Sequence, residues 1–286
     1  MKIGIDSYSF HRIFGDVRGG ETEPGRHFRS GSLDAIAVAA RLRVDSISLQ
    51  TCFLGLPDRP EIARLRTALG PLEPVIAWGH PQGLEFGTAL EAADELDHWI
   101  DVAPELRCDL VRLVAGNSGT DRGGRPIEFL ADALGRHIRA ARDRGVRLAL
   151  ENHADLTVPE LELLVSLVDD PVLGICLDTA NALRVGDDPL DATVRLLPQL
   201  RMVHLKDVEG LAFEPSVGPR SVAYGTGVVA VREILATLVR AGFDGHVMVE
   251  LGYLGPGDVD EEELLEVSLG WLAEALDGLR ASSVKA

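Results

Sequence analysis

What most constrains this chain is a regular alternation: eight short runs rich in valine, isoleucine and leucine, each followed by a longer amphipathic stretch. The short runs cover residues 2–7, 45–50, 73–78, 110–115, 147–151, 173–178, 202–206 and 247–251. They are too brief for helices and apolar on both faces, as parallel strands covered on each side must be. The stretches between them are 32–42, 60–69, 88–102, 127–144, 158–168, 189–197 and 228–241, with a last one at 261–279. They place apolar residues at helical spacing, as Leu130, Leu134, Ile138 and Ala141 do. Ser32 stands where the first helix begins, and Gly145 and Gly242 where two others stop. Eight even strand–helix units predict an α/β fold, the closed (β/α)₈ TIM barrel, because an open doubly wound sheet seldom runs that far without a break. No linker or shift in composition divides the chain, so residues 1–286 are expected to form a single domain.

Composition excludes several roles. The 28 basic residues against 45 acidic ones leave a net charge of −17. A field of that sign repels phosphate backbones and anionic lipid, so neither a nucleic acid nor a membrane is an expected partner. No apolar run reaches the roughly 18 residues of a transmembrane helix. The amino terminus runs straight into a strand without a signal-peptide pattern, so a cytoplasmic location is expected. Cys52, Cys108 and Cys176 are dispersed, which suits reduced thiols rather than a disulfide framework or a zinc cluster.

In a barrel, the C-terminal strand ends share one pocket however far apart they lie in sequence. Those positions carry Glu151 after Leu148-Ala149-Leu150, Asp178 after Ile175-Cys176-Leu177, His204 after Met202-Val203, and Glu250 after Val247-Met248-Val249. Singly, each reads as a polar cap on a strand end. Together, three carboxylates and an imidazole at one point need a counter-charge, and a divalent cation supplies it. Oxygen-rich ligation with one nitrogen suits Mn²⁺ foremost, then Mg²⁺, with Zn²⁺, Co²⁺ or Fe²⁺ as alternatives. Glycine-rich loops at 14–31 and 208–227 follow strands 1 and 7 on the same face, as lids or as plain surface insertions.

The segments Leu150-Glu151-Asn152-His153, Leu177-Asp178-Thr179-Ala180-Asn181, His204-Leu205-Lys206-Asp207 and Val249-Glu250 occur in the order and spacing of one superfamily. The chain resembles the xylose isomerase-like TIM barrels, which include sugar-phosphate isomerases and epimerases, ketose 3-epimerases, inosose dehydratase, 3-dehydroshikimate dehydratase and endonuclease IV. Tyr224-Gly225-Thr226-Gly227-Val228 is similar to the family's glycine-rich turn. The resemblance implies one divalent metal ion on Glu151, Asp178, His204 and Glu250. It also implies that Glu151 and Glu250 exchange a substrate proton between them, as in the epimerases.

Two departures bear on the reaction. Asn181 stands where ketose 3-epimerases commonly carry a histidine, and His153 follows Glu151 by two residues. Residues i and i+2 share a face of a strand, so His153 reaches the pocket if extension persists. The Glu-x-His pattern is similar to the dehydratase and keto-sugar lyase branches, where such a histidine acts as general base. The alternative for His153 is to orient a loop or a carboxylate.

Among lesser candidates, Lys206 holds a substrate oxyanion or pairs with Asp178. Trp78 and His80 end strand 3, where they contact a sugar ring or simply pack. Arg220 clamps a hydroxyl or carboxylate from the second long loop, or is a solvated loop residue. Asp207 is expected to orient its loop, Tyr8, Phe10 and His11 to line the wall, and His246, at the opposite rim, to be structural.

The leading functional expectation is a metal-dependent isomerase or epimerase acting through an enediolate on a sugar, keto-sugar or related polyol. The alternative is a lyase or dehydratase on the same scaffold, with a 3-keto-glycoside or 3-dehydroshikimate-like substrate and His153 as base. An endonuclease IV-like phosphodiesterase is disfavoured by Asn181 and the charge, and a non-catalytic scaffold by the intact ligand set. A homo-oligomer or a partner subunit is compatible with the sequence.

Overall fold

The computed structural model describes residues 1–15, 31–80, 83–116, 122–210, 219–252, 254 and 260–283. Eight strands, β1 (Lys2–Asp6), β2 (Ser46–Gln50), β3 (Glu73–Ala77), β4 (Leu110–Val114), β5 (Arg147–Glu151), β6 (Leu173–Asp178), β7 (Leu200–Leu205) and β8 (His246–Val249), pair in parallel in chain order. β8 pairs back onto β1 and closes the barrel. The helices around it are α1 (Ser32–Arg41), α2 (Arg59–Leu69), α3 (Leu90–Val102), α4 (Ile127–Arg144), α5 (Val158–Val168), α6 (Thr179–Arg184), α7 (Pro189–Leu196), α8 (Val231–Arg240) and α9 (Glu261–Ser283). The expected (β/α)₈ architecture is therefore the observed one. No helix among the described residues is long and apolar enough to cross a membrane.

Two layers of core hold the site in place. Strand residues facing outward pack with the helices in one large cluster that includes Ile5, Leu148, Ile175, Val203 and Val247. Val75, Leu110, Ala149, Cys176, Met202 and Met248 form a separate small cluster of residues on the other face, the plug inside the barrel. Side chains two apart on a strand share a face. The polar residues directly above the plug are therefore Arg112, Glu151, Asp178, His204 and Glu250, held by the strands over an apolar floor. Gly4 gives β1 its place in the ring, since a Cβ there would meet Met248 Sδ and Ser46 Oγ at 2.4 Å.

Local differences from the sequence expectations have local causes. Two helices, not one, follow β6, because the Asp178 carboxylate accepts the N–H groups of Ala180 and Asn181 and starts α6 at once. Gly31 rather than Ser32 caps α1, and no side chain bonds to that end. α8 begins three residues later than its periodicity suggests, because the preceding turn is bound to Asp207. That carboxylate accepts the N–H groups of Val208, Gly225, Gly227 and Val229 at 2.9–3.1 Å. Cys108 and Cys176 are buried, Cys52 is exposed, and none of them forms a disulfide among the described residues. Residues 16–30 of the first long loop and 211–218 of the second lie outside the described residues.

Candidate metal centre

Residues of β1, β5 and β6, with Glu250 just after β8, converge on His204 of β7, whose ring is wholly buried. Its Nδ1 lies 2.7 Å from Glu250 Oε2 and 3.4 Å from Glu151 Oε2. Its Nε2 lies 3.4 Å from Asp6 Oδ2. None of these approaches has hydrogen-bond geometry. Both ring nitrogens, Glu151 Oε2, Glu250 Oε2 and Asp6 Oδ2 are buried without a hydrogen-bond partner among the described residues. Donor atoms that crowd together without bonding to one another fit a cation, because orphaned buried polar atoms are otherwise costly. Glu151, Cys176 and His204 form one group with ligand atoms within 4.8 Å of each other, and Asp6, His204 and Glu250 form a second.

Asp178 stands beside these groups rather than within either. Its Oδ1 caps α6, and its Oδ2 accepts from Lys206 Nζ at 2.7 Å. The same ammonium is 2.8 Å from Glu250 Oε1. Asn152 fixes the aspartate from behind, accepting its backbone N–H at 2.7 Å and donating to its carbonyl at 3.0 Å. Asn181, at the position of the missing histidine, donates to Glu151 Oε1 at 3.2 Å.

The electrostatics divide the carboxylates. Burial raises the pKa of Glu250, but Lys206 and His204 outweigh it and hold the group well below the usual carboxylate range. For Glu151, burial is again outweighed, here by Arg112 and then His204, so its pKa is also lowered. Asp6 and Asp178 move upward instead, through burial foremost and through facing Glu250. Burial opposes charge on His204, yet Cys176, Glu250 and Glu151 beside it raise its pKa well above the ordinary value.

His153 leaves the strand after Glu151, and Ala154 takes a left-handed φ of 58°. The His153 ring turns its Nδ1 to the Gly116 carbonyl at 3.1 Å. A carbonyl only accepts, so Nδ1 carries the hydrogen and Nε2 carries the lone pair of the neutral ring. Trp78 is wholly buried, donates from its indole to Glu95 at 3.2 Å, and stacks on His80 with centroids 5.8 Å apart. Arg220 is paired with Glu209 through two bonds of 2.7 and 2.8 Å at the base of the second loop. His246 is buried at the opposite rim.

Two site residues escaped the sequence reading, Asp6 and Arg112. Arg112 Nε is 3.0 Å from Glu151 Oε2, and its Nη1 donates to the Trp78 carbonyl at 3.1 Å. The signal that found the others applied to both. Asp6 closes Ile3-Gly4-Ile5, and Arg112 interrupts Leu110-Val111 and Leu113-Val114.

A family model described as xylose isomerase-like TIM barrel matches residues 66–275. An inosose dehydratase from Bacillus anthracis is 28% identical over 138 residues, which is 43% of this chain and 46% of that protein. The chain thus matches about half the length of the curated relatives it resembles. Among solved structures, L-ribulose 3-epimerase superposes with a TM-score of 0.75 at 18% identity, covering 100% of this chain and 98% of that one. A xylose isomerase domain protein from Planctomyces limnophilus gives 0.68 at 22% identity, covering 88% and 93%. At such identities the structural likeness speaks for the barrel alone.

Proposed function

The chain belongs to the xylose isomerase-like TIM barrel family, and on that premise we propose that it is a divalent-metal-dependent lyase that removes water or an aglycone from a polyhydroxylated ketone. The observation that carries this reading is the His153 ring, whose Nδ1–H is committed to Gly116 and whose Nε2 is therefore the basic nitrogen. The sequence similarity to inosose dehydratases supports it. The sequence alone placed a two-glutamate isomerase or epimerase first. That chemistry needs glutamates free to gain and lose a proton, whereas Glu151 faces Arg112 and Glu250 is shared by Lys206 and His204.

Glu151, His204 and Glu250 would hold the ion, and Asp178 would join them once Lys206 moves off its Oδ2. When bound, a divalent ion supplies Lewis acidity, polarising substrate oxygens and weakening the C–H bond beside the carbonyl. His153 Nε2 takes that proton. The electron pair of the broken C–H bond becomes the new carbon–carbon double bond as the β-carbon–oxygen bond breaks. The departing oxygen takes the proton from His153 Nε2 and leaves as water or an alcohol, with the ring neutral again. Arg112 keeps Glu151 ionised and aimed at the centre. Lys206, His80, Trp78 and Arg220 are the proposed border of the substrate pocket, with Lys206 the cation best placed to meet a substrate oxygen.

The test is a panel of cyclic and open-chain polyhydroxy ketones with metal-loaded protein in D₂O, followed by NMR. The expected product is an unsaturated ketone, with activity falling about 10²–10⁴-fold in His153→Gln, the usual loss of a general base. An epimer or isomer as product, with exchange of the α-hydrogen surviving in His153→Gln, overturns the lyase reading.

A further inference from the structure

Resting on the metal-dependent reading above, we infer that Asp6 is the carboxylate that orients His204 toward the ion and decides which of its two nitrogens binds. Asp6 ends β1, and its two oxygens have separate employment. Oδ1 accepts the Tyr8 backbone N–H at 2.7 Å and the Gln50 side-chain amide at 3.0 Å, which fixes the carboxylate plane. Oδ2 is wholly buried, has no hydrogen-bond partner among the described residues, and faces His204 Nε2 at 3.4 Å.

The opposite edge of the ring meets two carboxylates. Nδ1 faces Glu250 Oε2 and Glu151 Oε2, both also lacking hydrogen-bond partners among the described residues. A neutral imidazole has one lone pair and one N–H. An ion on the Nδ1 side gathers two glutamates and the lone pair, and leaves the Nε2 hydrogen needing an acceptor in a wholly buried site. Asp6 Oδ2 is the acceptor that faces it. The reverse tautomer would direct an N–H at the two glutamates and leave the ion one nitrogen and fewer anions. Metal-bound histidines commonly donate their second N–H to a carboxylate, which fixes ring and tautomer. Asp6 is thus a positioning residue that acts through His204.

Asp6→Asn is a discriminating variant because Oδ1 can keep both of its bonds while an N–H₂ donor replaces Oδ2. In the zinc-loaded wild type, ¹⁵N NMR of the histidine rings should show His204 metal-bound at Nδ1 and protonated at Nε2. Cobalt titration should show about 10–100-fold weaker binding in Asp6→Asn, with an altered visible spectrum and an unchanged far-ultraviolet circular dichroism spectrum. Zinc on His204 Nε2, or cobalt affinity and spectrum equal to the wild type in Asp6→Asn, overturns the inference, the first without reference to any variant. Failure of the wild type to bind either ion overturns the metal reading itself and is seen before any variant is compared.

Discussion

Lys206 Nζ sits 2.7 Å from Asp178 Oδ2, and the same ammonium is 2.8 Å from Glu250 Oε1, so two buried carboxylates share one buried cation. In Lys206→Met both carboxylates lose that shared charge, and Glu250 keeps only His204. Breaking a buried pair in this way costs about 3–5 kcal/mol. A divalent ion supplies the missing charge, so urea denaturation with and without Mn²⁺ should show a larger metal-induced stabilisation in the variant than in the wild type. Equal stabilisation in both would mean that the ammonium and the ion do not share these carboxylates.

The metal content of purified variants should rank the ligands. Glu250 belongs to one of the two ligand groups, whereas Asp178 belongs to neither and is committed to the α6 cap and Lys206. Glu250→Gln should lower affinity for the ion about tenfold or more, and Asp178→Asn less, on the scale by which neighbouring groups tune a metal. Elemental analysis after dialysis against a fixed free-ion concentration reads the order directly. The reverse order would make Asp178 a primary ligand.

His246 predicts a pH dependence remote from the site. Burial foremost, then Lys2, lowers its pKa from 6.5 to about 4. The folded chain therefore keeps the ring neutral while the unfolded chain protonates it. The stabilisation is complete above about pH 6.5, declines as pH falls, and is lost below about pH 4, a total of about 3 kcal/mol. Chemical denaturation of the wild type and His246→Gln should diverge in slope across that window. Parallel curves would show that His246 does not contribute.

Gly227→Ala should disrupt the glycine-rich turn, since a Cβ there would meet Asp207 Oδ1 at 2.1 Å and the Val208 carbonyl at 2.5 Å. Overpacking of this kind costs about 1–3 kcal/mol. It should appear as a lowered melting temperature and faster proteolysis near the turn. An unchanged melting temperature would mean that Asp207 can move away without cost.

The barrel was legible in the chain alone, because the alternation of doubly apolar strands with one-faced helices has few closed solutions, and a chain of eight such units closes on itself. The sequence also marked Glu151, Asp178, His204 and Glu250 as candidate ligands, since a charge ending a buried strand is costly enough to stand out against Leu150, Leu177, Val203 or Val249. Which group pairs with which was settled by folding. Asp178 precedes a helix start and lies on the strand beside β7, so helix capping and Lys206 claim its oxygens. Asp6 and Arg112 come from β1 and β4, far from the recognised segments, and gain their meaning only when closure brings them to His204 and Glu151. His153 was visible as two residues from Glu151, but the turn at Ala154 set its ring on the Gly116 carbonyl and so chose its basic nitrogen. Patterning along a chain reports which groups are buried, whereas the direction of a lone pair depends on neighbours that folding alone supplies.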